Sequence, residues 1–261
     1  MKNKINIAAV SYLNTKPFLY GIKKCLNTAN FELNLFAPAK CAETIKNKQA
    51  EIGLIPVAAL PELKDYRIIS NFCIGSVEKV DSVCLYSNQP INKITNIELD
   101  FESKTSVNLV KILAKKHWEI NPSWSASIPG FEQNISGTSG AVVIGDKTFA
   151  IKNKYAYTYD LASEWFKFSG LPFVFACWVA SNKVTEEQEV LFNKALSLGI
   201  NNISESILEF KSSFGKQIDV EHYFKNCISF DFDRNKKLGL QLFLNLLTEN
   251  QQLGKKLLSI S

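Results

Sequence analysis

The chain has 261 residues, 46% of them hydrophobic and 21% charged, which fits one large domain or two small ones with a substantial core. No window reaches the ~18 uninterrupted apolar residues of a membrane span. The net charge of +5 is dispersed, with no basic helix and no nucleic-acid motif, so neither a membrane nor a nucleic acid is an expected partner.

The first third alternates strand and helix. Ile5–Val10 is an apolar run, too short for a secretory segment of about 7–15 residues, and it reads as a first strand in a cytoplasmic protein. The polar turn Ser11–Thr15 follows, then a helix from Lys16 to Leu26 with Pro17 in its first turn, where a missing N–H costs nothing. Phe31–Phe36 is a second strand, Pro38 opens a helix to Lys48, and Ile52–Ile55 is a third strand ended by Pro56. That βαβαβ order predicts a parallel sheet with right-handed crossovers.

Further strands are expected at Ile68–Ile74, Ser82–Tyr86, Ala141–Gly145 and Phe173–Ala180. Helices are expected at Ser106–His117, after Asp146, and over Asp160–Phe168. Thr185-Glu186-Glu187-Gln188 is a capping box, and Asp233 is placed to cap a last helix running through Leu247. The pattern predicts an α/β protein of two lobes. Residues 1–84 begin lobe one, 85–175 form lobe two, and 176–261 return to lobe one with the C-terminal helices. The crossing strands at Ser82–Tyr86 and Phe173–Val179 would form a hinge, and clefts between lobes are favoured ligand sites.

Six scattered cysteines without a C-x-x-C pair read as small buried apolar residues. Only His117 and His222 are present, neither beside a second ligand at helical spacing, so no metal site is expected. His117 reads as the polar end of an amphipathic helix. Gly-x-Ser-x-Gly elbows and nucleotide loops are absent, and Gly137–Gly140 reads as a turn. Only Arg67 and Arg234 are arginines, so an anion site elsewhere must rely on lysine, hydroxyl, amide or backbone donors.

Two polar helix starts stand out. Ser11, Asn14 and Thr15 follow the first strand, where α/β sheets line their ligand crevice and helix N–H groups attract anions. Helix capping by Asn14 or Thr15 explains the same residues. Ser103-Lys104-Thr105-Ser106 repeats the arrangement in lobe two, again open to both readings. Ser82 reads either as a hydroxyl aimed at the cleft or as an ordinary strand serine. Asp146 reads as a cleft residue or, more simply, as a helix cap.

These segments together resemble the MqnA family, the chorismate dehydratases of the futalosine route of menaquinone biosynthesis. The resemblance rests on VSYLNTKPFLY (10–20), IGLIPV (52–57), DSVCLYS (81–87), SKTSVNLVKIL (103–113), AVVIGD (141–146) and YDLASEWFKFSGLPFVFACWV (159–179), with the cysteine at 177 a local variation. It implies a fold like the type 2 periplasmic binding proteins. It also implies an elimination of water from chorismate that gives 3-[(1-carboxyvinyl)oxy]benzoate without a cofactor. On matching positions, Asn14 and Ser82 look like the catalytic polar pair, and Thr105 and Ser106 like a carboxylate-binding turn. Ser11, Thr15 and Asp146 complete the expected substrate contacts. With no well-placed histidine, the family's proposed base is the substrate's own side-chain carboxylate. The rival readings are a non-catalytic binding protein for a small carboxylate and the paralogous naphthoate synthase of the same pathway.

Because no ligand cluster or nucleotide loop is evident, turnover of chorismate is expected to survive exhaustive chelation. Loss of activity that added metal restores would overturn that expectation.

Overall fold

A computed structural model describes residues 4–213 and 218–258; residues 1–3, 214–217 and 259–261 lie outside the described part. The chain folds as two compact units, Met1–Ser76 with Val174–Phe232, and Val77–Phe173 with Asp233–Ser261.

The first unit is built on a six-stranded sheet. β1 (Ile5–Val10), β2 (Phe31–Phe36) and β3 (Ile52–Pro56) come first, joined by α1 (Lys16–Cys25) and α2 (Pro38–Lys46). β4 (Tyr66–Ser76), β10 (Phe173–Ser181) and β11 (Ser229–Asp231) complete it in the order β11-β4-β10-β3-β1-β2. β1 pairs in parallel with both β2 and β3, as the βαβαβ pattern requires, and β10 runs antiparallel to β3. Every residue of β3 and β10 is buried, because both faces of these central strands are covered. Trp178 of β10 meets Phe18 of α1 and Phe192 edge-on, with ring centroids 5.7 and 5.0 Å apart.

Three helices follow β10 here: α6 (Glu186–Asn201), α7 (Ile203–Phe210) and the short α8 (Val220–His222). The Thr185 capping box opens α6 as its sequence indicates. α1 and α6 approach so closely that only glycines fit. A Cβ at Gly21 would lie 1.9 Å from the Ala195 carbonyl oxygen, and one at Gly199 would lie 1.9 Å from that of Pro17.

The second unit has a five-stranded sheet in the order β7-β6-β8-β5-β9. Its strands are β5 (Val83–Ser87), β6 (Asn96–Leu99), β7 (Ser123–Ala126), β8 (Ser139–Ile144) and β9 (Tyr157–Asp160). β6 is parallel to β7 and β8, whereas β5 is antiparallel to β8 and β9. Its helices are α3 (Lys104–Lys116), the four-residue α4 (Lys147–Ala150), α5 (Leu161–Ser169) and α9 (Arg234–Leu258). Among the described residues no helix is long and apolar enough to cross a membrane.

Two boundaries differ from the sequence expectation. The chain leaves the first unit after Ser76 and not within Ser82–Tyr86, so β5 belongs wholly to the second sheet and Ser82 precedes it in a turn. The last helix joins the second unit and not the first. Aromatic packing accounts for this: Phe243 of α9 lies 5.2 Å from Phe173 and 6.3 Å from Trp165 of α5. At Gly239 the helix backbone also passes the Pro172 carbonyl, where a Cβ would come within 2.1 Å. Helical periodicity identifies the apolar stripe of α9 but not the surface that receives it.

Five cysteines are buried and Cys25 is half-buried, and none of the six is in a disulfide. Burial pushes the Cys41 thiol up to about 12, with the Phe36 carbonyl pulling the other way, so this residue packs as an un-ionised small side chain.

The α1–α6 contact predicts an inverted sign for an ordinary helix substitution. On an isolated helix, Gly199→Ala would stabilise by about 1 kcal/mol. Here a methyl driven into the Pro17 carbonyl should destabilise the protein by about 1–3 kcal/mol net, read as a lower urea midpoint. An unchanged or raised midpoint would refute the contact.

Candidate functional site

In the first unit the polar residues collect where β1 ends. Ser11 is exposed, and its N–H donates to the Phe36 carbonyl at 3.0 Å, extending the β1–β2 ladder by one residue. Leu13–Thr15 is a 3₁₀ turn that leads directly into α1. Thr15 is wholly buried at the N-cap, yet its side chain makes no capping hydrogen bond. Its hydroxyl donates instead to the Asn14 side-chain carbonyl at 3.3 Å. Pro17 removes one N–H from the first turn, which lightens the need for a side-chain cap. Capping by Thr15 therefore does not explain this turn. Asn14 is half-buried, with its carbonyl oxygen engaged by a neighbour in sequence.

The second unit brings Ser82, Asp146 and the Ser103–Ser106 turn to one end of its sheet. β6 and β8 both finish there, and antiparallel β5 begins there, since Val83 pairs with Ile144. Ser82 is 1% exposed, its N–H donates to the Val80 carbonyl at 2.7 Å, and its own carbonyl accepts from Gly145 at 2.8 Å. Gly145 has φ +69°, which lets the chain turn sharply out of β8. Ser103 caps α3, accepting the Ser106 N–H at 3.0 Å. Thr105 and Ser106 sit in the first turn of α3, each 2% exposed. The capping reading thus holds for α3 through Ser103, while Thr105 and Ser106 stand at the positive end of the helix dipole.

Asp146 is exposed and makes no side-chain cap for α4; within that turn the Thr148 hydroxyl donates to the Gly145 carbonyl at 2.8 Å. The simpler reading of Asp146 as a helix cap is not realised. His117 packs as a structural residue, with Nε2 3.0 Å from Glu164, which also accepts the Trp118 indole N–H at 2.9 Å.

Sequence reasoning missed the buried charges that hold this end together. Asp100, fully buried, accepts the Glu102 N–H at 3.1 Å and the Ile144 N–H at 3.2 Å, so it joins the β6–α3 loop to the end of β8. Lys147 reaches Asp100 at 2.9 Å and Glu102 at 3.0 Å, and its ammonium lies 5.2 and 5.4 Å from the centres of the Phe101 and Phe131 rings. Burial raises the Asp100 carboxyl above its usual range, opposed by Lys147 and the two backbone donors. For Lys147 burial works downward, but Asp100 and Glu102 outweigh it and hold the ammonium above its ordinary value. Asp160 caps α5 through the Ala162 and Ser163 N–H groups, and burial raises its carboxyl as well. An aspartate directly before the apolar periodicity of LASEWF is an N-cap signal that was available in the sequence. The Glu102 contact is local, but nothing in the local pattern signals the burial of Asp100 against Ile144 and Lys147, which lie 44 and 47 residues away.

Comparison with known proteins extends this picture. The family described as menaquinone biosynthesis matches residues 5–249. A chorismate dehydratase of Thermus thermophilus is 23% identical over 264 residues, covering 89% of this chain and 96% of that protein. Among solved structures, a protein of Archaeoglobus fulgidus aligns with a TM-score of 0.77 at 15% identity, over 95% of this chain and 98% of that one. The periplasmic aliphatic sulphonate binding protein of Escherichia coli aligns with a TM-score of 0.63 at 14% identity, over 97% and 89%. A Candida albicans protein described as having the generic periplasmic binding protein fold aligns at 0.59 and 10% identity, over 94% and 90%. At these identities the structural likeness shows the fold, which is that of the periplasmic binding proteins.

The Lys147–Asp100 pair sets a pH-dependent expectation. Lys147→Met leaves a buried carboxylate without its cation and should cost about 2–4 kcal/mol near pH 7, less than a fully buried pair because Lys147 is partly exposed. Protonation of Asp100 removes the orphaned charge, so the deficit relative to wild type should shrink as pH falls toward about 4. Urea melts of both proteins at the two pH values test this; an equal deficit at both would count against the pairing.

Proposed function

This chain belongs to the menaquinone biosynthesis family, and from that premise we propose that it dehydrates chorismate to 3-[(1-carboxyvinyl)oxy]benzoate. The observation that carries the reading is the state of Asn14. It stands in the turn after β1, where ligands gather in folds of this class, and is held through its carbonyl by the buried Thr15 hydroxyl. That leaves the amide nitrogen as a donor for a substrate oxygen. The Thermus thermophilus relative, matched over nearly its full length, supports chorismate as the substrate.

The reaction asks for little covalent chemistry from the protein. A ring C–H bond and the neighbouring C–O bond break, the C–H electron pair enters the ring, and the departing hydroxide leaves as water once protonated. Aromaticity of the product supplies the driving force. The protein has to orient a dianion, exclude water and stabilise the leaving hydroxide. In this proposal Asn14 and Ser82 donate to the leaving oxygen, each contributing on the order of 10²-fold in rate by analogy with single oxyanion-hole donors. Thr105 and Ser106, at the start of α3, receive a substrate carboxylate, and Ser11, Thr15 and Asp146 are the remaining substrate contacts of this reading. The substrate's side-chain carboxylate takes the ring proton.

Incubation of the protein with chorismate, followed by mass spectrometry, should reveal a product lighter by one water. Asn14→Ala should then lower kcat by at least about 10²-fold with little change in KM, the mark of a contact made in the transition state. A stable complex with chorismate that yields no product would instead favour a solute-binding role. An Asn14→Ala protein that melts lower yet keeps its full rate would remove Asn14 from the catalytic pair.

A further inference from the structure

Asp160 does more than cap a helix. It is 9% exposed, and each of its carboxylate oxygens takes two backbone N–H groups. Oδ1 accepts from Ala162 at 3.0 Å and Ser163 at 3.1 Å, the first turn of α5. Oδ2 accepts from Val80 at 3.0 Å and Asp81 at 2.7 Å, the segment that leads into Ser82. These two residues lie 80 and 79 positions away, so this half of the contact is not part of any local capping motif.

The segment it grips is strained. Asp81 has φ +60°, in the left-handed region, which for a non-glycine residue costs about 1–2 kcal/mol and persists only where surrounding contacts impose it. Several contacts do so here. The Asp81 carboxylate pairs with Lys79 at 2.6 Å and with Lys152 at 3.5 Å, and its N–H is held by Asp160. The next residue, Ser82, is tied at both ends of its peptide: its N–H to the Val80 carbonyl, its carbonyl to the Gly145 N–H. The position of Ser82 therefore follows from a turn whose conformation is imposed from outside by a buried carboxylate.

We propose that Asp160 is a positioning residue for the dehydration, fixing the Val80–Ser82 turn so that the Ser82 hydroxyl is held where the leaving oxygen departs. This rests on the reading of Ser82 given above. Asparagine and serine separate the two duties of Asp160. Both cap helices about as well as aspartate. Asparagine has one acceptor oxygen, and with that oxygen on α5 its NH₂ group would confront the Val80 and Asp81 donors. Serine is too short to serve both sites.

The test measures chorismate turnover and amide hydrogen exchange for wild type, Asp160→Asn and Asp160→Ser. Either variant that folds should lose at least about tenfold in kcat with KM within about threefold, because displaced catalytic groups lose rate more than binding. Exchange should accelerate at Val80 and Asp81 and stay protected at the start of α5. In a Ser82→Ala background, Asp160→Asn should lower kcat no further, since it acts through Ser82. An unchanged kcat, an equal loss in the Ser82→Ala background, or loosening centred on α5 would overturn the proposal. So would Val80 and Asp81 amides that already exchange like an open loop in wild type, which needs no variant. If wild-type protein leaves chorismate intact, the function proposed above fails, and the exchange data alone decide whether Asp160 holds the turn.

Discussion

Where a strand ends, its backbone N–H groups lose their ladder partners, and buried ones must be satisfied by something else. In the five-stranded unit two buried aspartates meet that demand. Asp100 collects the Glu102 and Ile144 amides, while Asp160 collects those of Val80, Asp81, Ala162 and Ser163. A carboxylate suits this duty because it accepts through two oxygens and donates nothing. Each of the two joins chain segments far apart in sequence, and the segments they join carry Ser82, Ser103, Thr105 and Ser106. The polar end of this sheet is thus organised from its buried side.

The cost of burying Asp100 and Asp160 is visible in their raised carboxyls. It is offset differently in the two cases. Asp100 has a cation, Lys147, beside it, with Glu102 sharing that cation. Asp160 relies on four backbone donors, with Asp81 nearby acting against it. A buried charge satisfied by backbone amides fixes geometry in a way that an apolar residue of similar volume does not.

The six-stranded unit positions its polar turn by packing. The glycine pair of α1 and α6 lets the α6 backbone reach the Pro17 carbonyl, one turn from Asn14, and Phe18 anchors the next residue against Trp178 and Phe230. The 3₁₀ turn that carries Asn14 is therefore held between a strand end and a closely packed first helical turn. The elimination proposed above, whose driving force lies in the product, would need donors fixed in this manner more than a strong base.

The sequence by itself determined the α/β class, the parallel β1–β3 arrangement, the capped α6 and the polar turns after β1 and before α3. Each of these is local: apolar periodicity, a proline in a first turn or a serine before a helix acts within a few residues. Short strands such as β6, β7, β9 and β11 carried too few alternating residues to be read, and their pairing comes from neighbours distant in sequence. Tertiary structure alone decided that α9 packs with Trp165 and Phe173, that Ser82 precedes its strand, and that Thr15 turns its hydroxyl to Asn14 instead of capping. It also decided that Asp100 and Asp160 are buried. For α9, Asp100 and Asp160 the reason is that a packing surface or hydrogen-bond partner tens of residues away exists only once the chain has folded; for Thr15, whose partner is adjacent, it is that burial in the folded turn selects one of two local partners.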